Sequence, residues 1–113
     1  MKKFEDIQTW QKSQELVTLC YKNFQNSRDF GFRDQICRAA VSIMNNIAEG
    51  FERASNNEFR KFLFIARGSC GEVRSMLYVA LELKYISKEV FTELSDRCLE
   101  ISKMLFGLIN VLK

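Results

Sequence analysis

The chain has 113 residues, 17 Lys or Arg against 14 Asp or Glu, and a formal charge of +3, so residues 1–113 make one domain with a real core and no room for a second. It has no histidine, which removes the commonest general base and metal ligand near neutral pH, and no proline and only five glycines, which argues for long helices over a turn-rich β fold. A mildly basic balance permits contact with nucleic acid without demanding it.

In chain order, the first helix is predicted from about Asp6 to Asn26, with Asp6 as its N-cap. Ile7, Trp10, Val17, Tyr21 and Phe24 form its stripe, and Gln14 interrupts it. Turn residues from Asn26 to Gly31 break the pattern. The second helix carries Phe32, Ile36, Ala40, Ile43, Ile47 and Gly50 in alternating steps and is predicted to end near Ala54.

Ser55-Asn56-Asn57-Glu58 reads as a capping box that opens the third helix, predicted to run to Tyr85. Its main stripe is Phe59, Phe62, Leu63, Ala66, Cys70, Val73, Leu77, Ala80 and Leu81. Ser87 caps the fourth helix, with Ile86 and Phe91 as a hydrophobic staple. That helix presents Phe91, Leu94, Cys98, Ile101, Leu105, Leu108 and Leu112, a three-four alternation suited to a bundle seam. Short connections between long helices favour antiparallel neighbours, so the expected fold is all-α, an up-down-up-down four-helix bundle.

The opening Met1-Lys2-Lys3-Phe4-Glu5-Asp6 turns acidic at once and does not read as a secretory signal. The longest uncharged run, Ala39 to Ala48, is far too short for a membrane span. Cys20, Cys37, Cys70 and Cys98 stand singly. They read as small buried hydrophobes in a reducing cytoplasm, and no metal site, disulfide or cofactor is expected.

Two helices carry faces that one core does not explain. Phe64, Gly68, Gly71, Ser75 and Val79 share a second stripe on the third helix, roughly opposite the first. Small residues at its centre would let another backbone approach, so this stripe is the expected self-association face. The other reading is that its glycines fit a neighbouring helix of the same bundle. On the second helix Arg38, Ser42, Asn46, Glu49 and Arg53 form a polar stripe, with Asn45 beside it. This is either a half-buried network that sets register or a binding patch.

Charge is patterned too. Arg53, Arg60, Arg67 and Arg74 recur at steps of seven, and the fourth helix answers with Glu89, Glu93, Asp96 and Glu100. The two rows pair, within or between subunits, or the arginines are free to hold phosphates.

The run Gln35-Ile36-Cys37-Arg38-Ala39-Ala40, then Ser42-Ile43, Asn46-Ile47-Ala48-Glu49-Gly50, Arg53 and Gly68-Ser69 with Glu72 resembles the bacterial 23S rRNA intervening sequence proteins, also labelled S23 ribosomal proteins. The resemblance covers essentially the whole chain. It implies an antiparallel four-helix bundle assembled as a ring-like homopentamer. A relative of that family, the accessory variability determinant of diversity-generating retroelements, is a basic pentameric barrel linked to nucleic acid and a reverse transcriptase.

Residues and resemblance together lead to a cytoplasmic, oligomeric, non-enzymatic bundle. Its expected further partner is RNA or DNA, through phosphate contacts from Arg38, Arg53, Arg60, Lys61, Arg67 and Arg74. The alternative is a protein-interaction scaffold that uses the polar stripe. An enzyme would need acid-base equipment that the composition does not supply.

Overall fold

A computed structural model of the chain describes residues 2–113. Four helices account for nearly all of it: α1 (Gln8–Phe24), α2 (Phe30–Phe51), α3 (Asn56–Glu82) and α4 (Lys88–Val111). The molecule measures 43 × 21 × 20 Å, and its long dimension is close to the roughly 40 Å that α3 alone spans at about 1.5 Å per residue. α1 packs on α2 and α4, and α3 packs on the same two, with the α2–α3 seam the most extensive. Each helix therefore has two neighbours and a core-facing stripe, a bundle-like packing.

Three of the four helix starts have a local side-chain cause. Asp29 accepts the Phe32 amide to begin α2, Ser55 accepts that of Glu58 to begin α3, and Ser87 accepts that of Val90 to begin α4. These bonds satisfy amides that the helices leave orphaned. Only half of the predicted capping box forms: Ser55 caps, while the Glu58 carboxylate stands 3.9 Å from Arg53 instead of reaching back. Ile86 is buried and Phe91 packs on the same core, as the predicted staple requires.

α1 departs from expectation. Asp6 is not its cap. Phe4–Asp6 is a single 3-10 turn, and Ile7, with no side-chain acceptor, holds the cap position and is itself buried. The buried face is Thr9, Ser13, Leu16, Cys20 and Phe24, whereas Tyr21 is 50 % exposed. Ser13 donates its hydroxyl to the Thr9 carbonyl at 2.8 Å. Small polar residues satisfied within their own helix enter a core at little cost; of the predicted stripe, Ile7 and Phe24 are buried and Trp10 and Val17 pack on the core at its edge, so counting only apolar residues misplaces its centre and includes the exposed Tyr21.

In α2, α3 and α4 the predicted stripes are close to the buried faces. Ile36, Ala40, Ile43, Ile47 and Gly50 are buried in α2, joined by Cys37 and Ala39. In α3 seven stripe positions from Phe59 to Ala80 are buried, with Phe62 and Leu81 half-buried. α4 buries Leu94, Ser95, Cys98, Ile101 and Leu105, then takes a step of four to Ile109, leaving Leu108 and Leu112 half-buried. All four cysteines are free and buried. Burial pushes the Cys20 thiol up to about 12, so it is protonated at neutral pH, and Cys70 donates its S–H to the Cys98 carbonyl.

The helix ends are shorter than predicted. α2 stops at Phe51 and not near Ala54, and α3 stops at Glu82 and not at Tyr85. Lys84 adopts φ 62°, its amide bonding to the Leu81 carbonyl and that of Tyr85 to Ala80. This pairing is the Schellman closure, with lysine where glycine is usual. The turn delivers Tyr85 to the α1–α2 loop, where its hydroxyl donates to Asp29 at 2.7 Å and its ring meets Phe32 edge-on at 5.4 Å. Two connections far apart in sequence are thus tied at one end of the molecule.

The tie has a pH signature. The Tyr85 hydroxyl first, and the Phe32 amide second, hold the Asp29 carboxyl below the ordinary carboxylate range. A depressed carboxyl adds stability above its unfolded value and loses it as pH falls through its folded value. Tyr85→Phe should raise the Asp29 titration midpoint toward that of a free carboxylate, read by NMR. An unmoved midpoint would show that the bond does not form in solution.

Gly50 sets the closest approach of α2 to α3. A Cβ there would lie 2.7 Å from Phe62 Cβ and 3.0 Å from a ring carbon of Phe59. Phe62 Cβ is anchored to backbone and cannot swing aside. Gly50→Ala should destabilise the fold by roughly 1–3 kcal/mol through overpacking, more than the gain in helix propensity returns near a helix end, as read by chemical denaturation. Unchanged stability would mean that the two helices sit farther apart.

Candidate assembly and nucleic-acid faces

With Phe59, Leu63, Ala66, Cys70, Val73, Leu77 and Ala80 turned into the core, the 3.6-residue period turns Phe64, Gly68, Gly71, Ser75 and Val79 outward. All five are exposed, Phe64 at 49 % and Val79 at 47 %, with Ile65 and Tyr78 more than half exposed beside them. A Cβ built at Gly68 or Gly71 meets nothing within 4 Å. Nothing within the chain therefore calls for glycine at either position, which removes the reading that they fit a neighbouring helix of the same bundle. The face is apolar at both ends and nearly flat in the middle.

The six basic residues fall into three environments. Arg53 stands 3.5 Å from Glu49 and 3.9 Å from Glu58, with its guanidinium over the Phe62 ring. Arg60 and Arg67 lie at the α3–α4 boundary. Arg60 donates Nε–H to the Ile109 carbonyl and lies near the Phe64 ring, and Arg67 covers the Phe106 ring at 4.9 Å. Arg74, half-buried, is on the same flank, close enough to Cys70 to influence its thiol electrostatically. Among the described residues, Arg38 and Lys61 make no ion pair. A guanidinium stacked on an aromatic ring keeps its edge free for a phosphate.

The α3 arginines do not pair with the acidic row of α4 inside the chain. Glu93 reaches Arg97 and Glu100 reaches Lys12 of α1, while Arg97 also bonds Glu15. One member of the acidic row, Glu100, reaches α1, Glu93 pairs within α4, and among the described residues none pairs with an α3 arginine, which rules out the intrachain half of the predicted pairing.

The polar stripe of α2 is divided. Asn46 donates to both the Ser42 carbonyl and the Ser42 hydroxyl, at 2.8 and 2.9 Å, and the Ser42 hydroxyl meets that of Ser69 on α3 at 2.9 Å. Gln35 reaches Glu72 on the same seam at 3.4 Å. Glu49 and Arg53, farther along, form the i,i+4 pair. Arg38 lines three neighbouring depressions, one toward Ser42, Ser69 and Glu72, one toward Asn45, Asn46 and Glu49, and one toward Tyr21 and Asp34. Ser69, Gln35 and Glu72 join this seam without belonging to the predicted stripe. Their signal in the sequence is the three-residue step from Ser69 to Glu72, which puts both on the flank of α3 facing α2.

Among the described residues, no group of three Cys, Asp or Glu side chains converges to hold a metal ion, and no helix is long and apolar enough to cross a membrane. The one buried side-chain polar atom lacking a partner among them is Trp10 Nε1, on a ring that meets that of Phe4 at a tilt, centroids 5.2 Å apart, at the start of α1.

Comparison with known proteins places this geometry. A crystal structure of a protein of unknown function from the S23 ribosomal protein family of Bacteroides thetaiotaomicron superposes with a TM-score of 0.84, at 28 % identity, covering 89 % of this chain and 97 % of the other. A search of curated proteins finds no match. The profile described as 23S rRNA-intervening sequence protein matches residues 5–107. With that match running from the 3-10 turn into the last turns of α4, the chain belongs to the 23S rRNA-intervening sequence protein family.

Proposed function

We propose that this protein is a non-catalytic assembly module of the cytoplasm, whose copies associate through the outward face of α3 and present basic helical faces to RNA or DNA. The observation that carries the reading is that face. It exposes Phe64 and Val79 around two glycines that the chain's own packing does not require, and unpartnered apolar helix surface of this kind marks an interaction site. In this reading the four helices alternate up and down. Gln35 opposite Glu72 with Ser42 opposite Ser69, and Lys12 opposite Glu100 with Glu15 opposite Arg97, support that direction. The family resemblance makes a ring-like homopentamer the expected form.

Nucleic-acid contact is electrostatic in this reading. Arg38 and Lys61 bring charge with no carboxylate partner among the described residues, Arg53, Arg60 and Arg67 bring guanidinium groups backed by rings, and Arg74 adds to the same field. Repetition of a modest patch around an assembly raises affinity through effective concentration. A second reading, a protein-interaction scaffold, draws on the Ser42–Ser69–Asn46 network, whose mixed donors and acceptors beside Glu49 and Arg38 suit a polar protein surface.

Gly68→Leu has room in the single chain and should leave stability close to wild type while lowering the assembled mass toward the 13.2 kDa protomer. Light scattering that finds the oligomer unchanged would remove this face from the interface. For nucleic acid, affinity for a mixed RNA and DNA panel should fall by at least about tenfold between about 50 and 200 mM salt, as neutralisation of two or more phosphates requires. Arg38→Glu with Lys61→Glu should weaken binding further without changing the mass. An assembled protein that is not retained on the panel at low salt would select the scaffold reading.

A further inference from the structure

The two charged rows that fail to meet within one chain lie on opposite flanks of the α3–α4 pair. Arg60, Arg67 and Arg74 run along the edge of the α3 outward face nearer α4, as the contacts of Arg60 with Ile109 and of Arg67 with Phe106 show. The acidic row lies on the outer face of α4 away from α3, where Glu93 pairs with Arg97 of the same helix and Glu100 with Lys12 of α1. Glu89 and Asp96 make no ion pair among the described residues. Their spacing is seven residues, the same step that separates Arg60, Arg67 and Arg74. On a helix that step is about 10.5 Å, so the rows have equal pitch and opposite sign.

The α4 face is also open to contact. Leu99 is 43 % exposed beside the acidic row, and Gly107, on the same outer face toward the end of α4, has nothing within 4 Å of a built Cβ. The nearly flat, glycine-centred face on α3 with its arginine edge is complementary in charge to the Glu89–Asp96 part of the α4 face, Lys103 standing farther along toward Gly107. A two-fold contact of antiparallel α3 helices would instead set arginine row against arginine row.

We infer that the partner of the α3 face is the outer face of α4 on a second copy of this chain, so that Arg60 and Arg67 of one protomer meet Glu89 and Asp96 of the next. This rests on the reading that copies associate through α3 and names the surface they meet. The contact is head-to-tail: each protomer offers one face and receives on the other, which generates a ring when the rotation closes and a filament when it does not. Complementary charge sets register and excludes the like-charged alternative. It also moves Arg60 and Arg67 from the phosphate contacts proposed above to the subunit boundary, leaving Arg38 and Lys61, outside both rows, as the phosphate contacts of the assembled form.

Charge exchange tests it. Arg60→Glu with Arg67→Glu in one variant, and Glu89→Lys with Asp96→Lys in another, should each retain helical circular dichroism and cooperative unfolding but scatter light as protomers where the wild type is assembled. Combining all four substitutions in one chain should restore assembly, because each reversed face then meets its reversed complement, whereas mixing the two double variants should give only alternating, even-numbered or open species, since a ring of five cannot alternate. A wild type that is a monomer at high concentration overturns the self-association reading and this inference together. A wild type that assembles, with neither double variant altering its mass, or with dissociated variants that combination in one chain does not rescue, overturns the α3-to-α4 pairing alone and leaves the α3 face in place. Should a double variant fail to unfold cooperatively, the single substitutions Arg67→Glu and Asp96→Lys carry the same test, with rescue when both are combined in one chain expected and its absence refuting the pairing.

Discussion

At Gly50 the backbone of α2 comes so near α3 that a methyl carbon would stand 2.7 Å from Phe62 Cβ. That approach fixes how the two helices of the most extensive seam lie on each other. With α2 drawn in at Gly50, its flank meets α3 at Ser42 and Ser69 and again at Gln35 and Glu72. A half-buried hydroxyl pair tolerates little displacement, because a slip would leave polar groups unpaired away from water. Rotation of α3 about its axis is therefore set by α2, and so is the direction in which every other face of α3 looks.

Tasks are separated around this one helix. The inward stripe of α3 builds the core, the flank facing α2 carries the polar seam, the flank facing α4 carries arginines backed by rings, and the remaining face is flat and apolar-ended. Gly50 and Gly68 have opposite relations to their surroundings. The first is glycine because a side chain has nowhere to go, whereas the second is glycine although the chain leaves ample space. A glycine inside a helix costs about 1 kcal/mol relative to alanine. Bearing that cost twice on an open face, at Gly68 and Gly71, has a physical rationale when a second backbone comes close there.

The family run is legible in the same terms. Arg38 to Gly50 on α2 and Gly68 to Glu72 on α3 are far apart in the chain, yet they lie along one seam: Ser42 meets Ser69, and Gly50 admits the ring-bearing turn at Phe59 and Phe62. The residues that identify the sequence are thus those that hold α2 against α3, together with Arg38, which projects beside them.

Helix number, the serine caps at Ser55 and Ser87, the inward stripes of α2, α3 and α4, and the outward small-residue stripe of α3 could all be read from the amino-acid order, because caps and 3.6-residue periodicity act within a turn or two. The buried face of α1 could be read only in part, at Ile7 and Phe24 with Trp10 and Val17 at its edge, since Thr9 and Ser13 enter the core only once Ser13 bonds to its own helix and α2 and α4 close over them. Nor could the end of α3, where a lysine takes the left-handed position and the turn carries Tyr85 to Asp29, 56 residues away. The fate of the charged rows belongs with these. Their spacing is written in the sequence, but which flank each row occupies, and so that they cannot meet within one copy, depends on how helices distant in sequence rotate against one another.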